Sequence, residues 1–223
     1  MKPLPSASSI FRACNLVALF AVVFAGAARA NVISYSAVTG ILPAGSSVNV
    51  TLPEFDSSLG TLQAVNLTLT STINGLVSIY NLTGASQSFT NALASMTVGV
   101  TGPDGTAASV TPMVIVPFGT VNPGETDFGP LANTASSSVA ASTLSSYETI
   151  GGGTLNFAVV SSAGGFFQGT SVPGVFFGGA VSTSGDVDIT YTYSPVNLPD
   201  SLSIAGALTA ALGLLGLIRR RLA

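Results

Sequence analysis

The chain has 223 residues with a formal net charge of −3, and only 7% of its residues are charged. It has no histidine, and residues 31–198 contain eight of the nine acids but no lysine or arginine. For this span, these features exclude catalytic sites built on histidine or lysine, zinc sites built on histidine and cysteine, and electrostatic binding of nucleic acids. The six basic residues lie in the terminal segments: Lys2, Arg12, Arg29, Arg219, Arg220 and Arg221.

Residues 1–30 have the pattern of a secretory signal peptide. Lys2 and Arg12 supply its positive region, and residues 16–27 form a short apolar stretch. Ala28 and Ala30 fit the small-residue cleavage site, so we predict cleavage after Ala30 and export of the chain. The single cysteine, Cys14, lies inside this segment, and the exported domain therefore has no thiol or disulfide.

Residues 31–196 predict a single all-β domain. Val and Thr are abundant, and apolar residues alternate with polar ones in several short runs, as they do in half-buried strands. Turn sequences such as Gly102-Pro103-Asp104-Gly105 separate the runs. Short strands at this spacing favour an antiparallel β-sandwich or a jelly-roll-like fold. The predicted strands are residues 48–52, 65–70, 96–100, 113–116, 155–160 and 187–193.

The segment 131–147 leaves two alternatives open. It is rich in Ala and Ser. A short helix that crosses one end of the sandwich is one interpretation, and a Ser-rich loop is the other.

Six of the acids form pairs with one residue between the two members. On a strand this spacing puts both carboxylates on the same face, and in a loop it can present two oxygens to one hard cation such as Ca²⁺. Because the domain has no basic residue to neutralise them, Ca²⁺ binding is one hypothesis, and solvated residues at turns and strand ends are the alternative. The pairs are Glu54 and Asp56, Glu125 and Asp127, and Asp186 and Asp188.

The C-terminal segment 197–223 predicts a membrane helix followed by a basic end. Residues 202–218 are apolar and, as a helix, span about 25 Å at ~1.5 Å per residue, slightly less than the ~30 Å hydrocarbon core. Arg219, Arg220 and Arg221 then act as a stop-transfer signal on the cytoplasmic side. This marginal helix suits a transient membrane anchor, and a permanent tail anchor is the alternative.

Two parts of the domain resemble the bacterial family of choice-of-anchor E domains. The stretch LPEFDSSLGTL at residues 52–62, followed by VNLTL at 65–69, is similar to the opening motif of that family. The stretch VDITYTY at 187–193 is similar to its closing strand. The resemblance covers about residues 31–195 and implies a non-catalytic, exported domain.

The tail resembles a sorting signal of the PEP-CTERM type, in its VPDSG-like variant. The matching positions are Leu198, Pro199, Asp200 and Ser201, ahead of the apolar helix and the arginine cluster. The resemblance implies that an exosortase-like enzyme cuts at this motif, and a sortase is the alternative because LPDSL is also near LPxTG. It also implies a cell-envelope, cell-surface or extracellular protein that is associated with exopolysaccharide.

From these observations we expect a non-catalytic component of the cell surface or extracellular matrix, with no cofactor other than Ca²⁺. Two other functions stay open. A Ca²⁺-dependent glycan-binding module predicts acid pairs that converge beside exposed aromatic residues. A hydrolase that uses only carboxylates predicts two acids that face each other across a cleft.

Overall fold

The computed structural model describes residues 30–162 and 166–196. These residues form an all-β fold of several antiparallel sheets packed together, as the sequence predicts for a β-sandwich. Two short 3-10 turns, Ser57–Leu59 and Leu144–Ser146, interrupt the strands. The strands are β1 (Asn31–Leu42), β2 (Ser47–Pro53), β3 (Phe55–Asp56), β4 (Gly60–Asn81), β5 (Gln87–Ser95), β6 (Val98–Thr101), β7 (Ala107–Val110), β8 (Met113–Val121), β9 (Gly124–Ala140), β10 (Glu148–Thr149), β11 (Thr154–Ser161), β12 (Phe166–Ser171) and β13 (Val175–Pro195).

The predicted terminal segments lie almost entirely outside the described residues. Of the predicted signal peptide only Ala30 is described, so cleavage after Ala30, at the site formed by Ala28 and Ala30, stays a prediction. Within 30–162 and 166–196, no helix is long and apolar enough to cross a membrane. The predicted helix 202–218 lies outside, as do the predicted sorting residues Leu198, Pro199, Asp200 and Ser201 and the arginines Arg219, Arg220 and Arg221.

The strands form three larger sheets and one two-stranded sheet. The order in the largest is β1-β13-β4-β9, and two smaller sheets have the orders β2-β11-β6-β7 and β12-β5-β8. These pairings are antiparallel wherever their register is defined. The short strands β3 and β10 pair in parallel, with Phe55 opposite Glu148.

The long strands β4 and β13 supply the apolar face that holds the fold together. Alternate residues of β4 are buried from Val65 to Ile73, Val77 and Ile79 continue the same face, and the same alternation buries Val187, Ile189 and Tyr191 on β13. Because side chains alternate between the two faces of a strand, the intervening Thr and Ser residues lie on the outer face. One face of this sheet is therefore apolar and the other is polar.

Two hydrophobic cores share the apolar face of β4 and β13. The first joins Leu67 and Ile189 to residues of the β2-β11-β6-β7 sheet such as Phe157. The second joins Ile73 and Val77 to residues of the β12-β5-β8 sheet. The two smaller sheets thus cover different halves of the same long sheet.

The expectation of a helix or loop at 131–147 is wrong for most of its length. Strand β9 continues to Ala140 and pairs with β4 from Asn81↔Gly124 to Asn66↔Ala140. Its hydroxyl groups meet those of β4, as in the 2.7 Å hydrogen bond between Thr68 and Ser138. The sequence of 131–140 does not by itself determine its structure. Pairing with β4, which presents matching hydroxyl groups, therefore stabilises this segment as a strand. Within 131–147, only the 3-10 turn at Leu144–Ser146 is helical.

Candidate functional site

The first acid pair, Glu54 and Asp56, lies in an open cleft of about 480 Å³, which we call the β3 cleft. Strand β1 contributes inward-facing side chains to one wall, and the glycines before β11 form another. Its lining includes Ile33, Tyr35, Glu54, Asp56, Leu59 and Gly152. The cleft is the place where the LPEFDSSLGTL stretch meets strand β1.

Asp56 has a structural role within the β3 cleft. Its Oδ1 accepts hydrogen bonds of 2.9 Å from the backbone N–H groups of Ser58 and Gly151. The first bond caps the 3-10 turn, and the second ties that turn to the glycine loop. Hydrogen bonds from Ser58 and then Gly151 lower the pKa of Asp56. A lowered pKa opposes a general-acid role, which requires a carboxyl group that stays protonated.

Glu54 depends on the glycine loop for its position. Its backbone N–H donates a 3.0 Å hydrogen bond to the carbonyl of Gly153. Its carboxylate occupies the space that a side chain at Gly153 needs. Gly151 and Gly152 have φ angles of 83° and 72°, in the left-handed region that favours glycine. This loop therefore needs glycine residues, because a larger residue would prevent its close approach to Glu54 and Asp56.

Aromatic residues hold β3 against the large sheet beside these acids. The ring centroid of Phe55 lies 5.1 Å from that of Tyr193 and 5.7 Å from that of Tyr191. Tyr35 packs edge-on against Tyr191 at 6.2 Å. Phe55 and Tyr191 are buried, whereas Tyr35 and Tyr193 are half-buried, so part of this cluster is accessible from the cleft side of β1. Burial, and then the charge of Glu54, raises the pKa of Tyr191, whose hydroxyl donates to the Pro53 carbonyl at 2.9 Å.

The second acid pair lies on β9, opposite β4. Glu125 is opposite Tyr80, and Asp127 is opposite Ser78, which donates a 2.5 Å hydrogen bond to Oδ1 of Asp127. The carboxylate of Glu125, together with burial, raises the pKa of Tyr80. Asp127 therefore stabilises the β4–β9 pairing.

The third acid pair lies on the outer face of β13. Asp186 is opposite Val38 of β1, and Asp188 is opposite Ser36. Oδ1 of Asp186 is buried and has no hydrogen-bond partner among the described residues. Burial, together with the charge of Asp186, raises the pKa of Asp188. Within 30–162 and 166–196, no three carboxylates come together as a metal site, and Ca²⁺ binding stays a prediction.

Among the described residues, the acid with the most hydrogen-bond donors is Asp104, which belongs to none of the three pairs. It lies in the turn between β6 and β7, and its carboxylate accepts hydrogen bonds from Thr106, Ser142, Thr143 and Tyr147. Burial raises the pKa of Asp104, but the hydrogen bonds from Tyr147, Thr106 and the backbone outweigh it and hold the pKa far below its usual range. The Asp-Gly-Thr turn sequence indicates a local bond to Thr106. It does not indicate the distant donors.

The comparisons with known proteins give no family. No protein-family model and no curated protein matches the sequence. A T13 viral particle of infectious bursal disease virus matches with 14% identity over 84% of this chain and 48% of the viral chain, at a TM-score of 0.19. The VP2 subviral particle of the same virus matches with 14% identity over 86% of this chain and 50% of that chain, also at 0.19. The chain spans half or less of the length of these proteins. TM-scores of this size do not support a shared fold or function.

Proposed function

We propose that the protein is an exported, non-catalytic component of the cell surface or extracellular matrix, processed at residues 198–201 by an exosortase-like enzyme. The engagement of its carboxylates in structural hydrogen bonds is the observation that supports this role most. Asp56, Asp104 and Asp127 each bind donors that hold loops or strands together. In a domain without basic residues, this use of its acids is typical of a scaffold rather than of a catalytic centre.

Intact-mass analysis of the protein from its native host tests this proposal. We expect an N-terminus at Asn31 and a C-terminus within residues 198–201, with any added mass on the new C-terminus. The variant Pro199→Ala should keep the tail, while Pro195→Ala, four residues earlier, should be processed normally. Retention of residues 202–223 in the parent protein contradicts processing. Removal of the tail from Pro199→Ala as from the parent contradicts recognition of the motif.

A Ca²⁺-dependent glycan-binding module is a second candidate, because the β3 cleft combines carboxylates with the half-buried ring of Tyr35. Glu54 supplies acceptors for sugar hydroxyl groups, and Tyr35 supplies a ring against which a sugar can pack. Binding to neutral oligosaccharides, measured with and without Ca²⁺, tests this candidate. We expect binding to be lost in Glu54→Gln and Tyr35→Ala and kept in Glu125→Gln. Equal binding by all three variants contradicts a glycan site in the β3 cleft.

A further inference from the structure

The last residues of β13 are held in place by contacts from three other strands. Tyr193 is opposite Asn31 of β1, and its ring centroid lies 5.1 Å from that of Phe55 on β3. The side-chain amide of Gln63, on β4, donates a 2.5 Å hydrogen bond to the hydroxyl of Ser194. We call these three contacts the β13 clamp. They fix β13 almost to its last residue.

The clamp leaves little chain between the folded domain and the apolar run that begins at residue 202. Seven residues, 195–201, follow Ser194 before that run, and the sorting motif occupies the last four of them. Fully extended, a stretch of this length spans at most about 25 Å. While the apolar run is in the membrane, an enzyme that cuts the motif therefore has to work in the gap between the bilayer and the domain.

We propose that the β13 clamp controls processing of the tail, so that the enzyme cuts the motif when the end of β13 has opened. This inference rests on the proposed function, because it concerns cleavage at 198–201. An enzyme that binds an extended peptide needs backbone groups that are not already paired within a sheet. Opening of residues 192–194 frees such groups and adds about 10 Å of chain to the gap. When opening and closing are faster than cleavage, the rate of cleavage follows the population of the open form.

The bond between Gln63 and Ser194 is the part of the clamp that can be removed without disturbing the core. It lies at the surface, whereas Phe55 is buried in the first core. Because water competes for exposed groups, loss of this bond should raise the open population by roughly two- to fivefold. Gln87 supplies a matched control, since its side-chain amide donates a 3.1 Å hydrogen bond to Thr83, beyond the opposite end of β4.

A pulse-chase measurement of tail removal in the native host tests the clamp. We expect Gln63→Ala to lose its tail roughly two- to fivefold faster than the parent protein, and Gln87→Ala to lose it at the parent rate. Insertion of Gly-Ser-Gly-Ser after Val196 widens the gap and leaves the clamp intact. Processing should then be faster, and adding Gln63→Ala should change it little.

The outcomes separate the clamp from the proposed function on which it rests. Retention of residues 202–223 in the parent protein contradicts processing itself, and the clamp with it. If the parent protein is processed, equal rates in the parent, Gln63→Ala and Gln87→Ala overturn the clamp alone.

Hydrogen exchange in the full chain, purified in detergent, measures the opening directly. The backbone amides of residues 192–196 should exchange roughly two- to fivefold faster in Gln63→Ala than in the parent protein or in Gln87→Ala. The melting temperatures should stay the same, because the bond holds only the end of one strand. Faster tail removal in Gln63→Ala without faster exchange at the end of β13 places the effect elsewhere and overturns the proposal.

Discussion

The hydroxyl of Tyr147 donates a 2.6 Å hydrogen bond to Oδ1 of Asp104. Tyr147 is fully buried in the first core, whereas Asp104 lies in the turn between β6 and β7. The bond therefore joins a surface turn to the segment that leads from β9 to β10. No basic residue is available between residues 31 and 198, and hydrogen-bond donors alone stabilise this carboxylate.

Removal of the negative charge at residue 104 should destabilise the domain strongly. In Asp104→Asn, an amide group replaces an oxygen that now accepts bonds from Ser142 and Thr143. We expect the free energy of unfolding to fall by about 2–4 kcal/mol, because hydrogen bonds to charged groups are strong and the substitution weakens several of them at once. Urea denaturation measures this change. Ser145→Ala, at an exposed residue of the same segment, should change it little, and similar effects of the two substitutions contradict a special role for Asp104.

Deletion of the tyrosine hydroxyl should have a smaller effect at the same place. Tyr147→Phe keeps the buried ring and leaves Asp104 with its other donors, including the hydroxyl of Thr106 at 2.7 Å. We expect a loss of about 1.5–3 kcal/mol, the usual contribution of one hydrogen bond to a charged group. The double variant with Asp104→Asn should be less destabilised than the sum of the two single variants. Full additivity contradicts a direct coupling between the two side chains.

The same pair predicts how stability depends on pH at both extremes. The pKa of Asp104 is lower in the folded state, so its stabilisation is complete above the unfolded value of about 4 and is lost as the pH falls below it. The pKa of Tyr147 is higher in the folded state, so stability falls as the pH rises above about 10. Asp104→Asn should flatten the acid limb of the profile, and Tyr147→Phe the alkaline limb. Unchanged limbs in both variants contradict this assignment.

Close packing of β4 against β13 predicts that Gly75 tolerates no side chain. A Cβ at this position meets the carbonyl oxygen of Ala180 and lies 2.8 Å from Cα of Val181. Because both groups are backbone, they cannot move aside without disturbing the sheet, and Gly75→Ala should lower the free energy of unfolding by about 1–3 kcal/mol. At Gly99 the nearest atom is 3.8 Å away, so Gly99→Ala is the matched control. Equal stabilities of the two variants contradict the close approach.

The sequence predicts strands where large apolar residues alternate, as at 65–70 and 187–193, because burial of one face specifies the pleat. It does not predict the full length of β4, whose middle has the small residues Ser71 and Gly75. The sequence at 131–147 is ambiguous because Ala and Ser suit a helix, a loop or a strand that has a partner. The sequence does not indicate the role of Asp104 for a related reason, since Tyr147 is 43 residues away and becomes a neighbour only in the folded chain.

The repulsion between Asp186 and Asp188 predicts a substitution that stabilises the domain. Burial and the charge of Asp186 raise the pKa of Asp188, so its ionised form is less favourable in the folded chain than in the unfolded chain. Asp188→Asn should therefore raise the free energy of unfolding by a few tenths of a kcal/mol, roughly 0.2–0.5, because solvent screens the repulsion of this partly exposed pair. The Ca²⁺ hypothesis adds that millimolar Ca²⁺ raises the melting temperature of the parent protein. For a site at the third acid pair, this gain is smaller in Asp188→Asn than in Glu148→Gln, which removes an acid outside the three pairs. A melting temperature that does not respond to Ca²⁺ in the parent protein contradicts cation binding, while a less stable Asp188→Asn contradicts the repulsion itself.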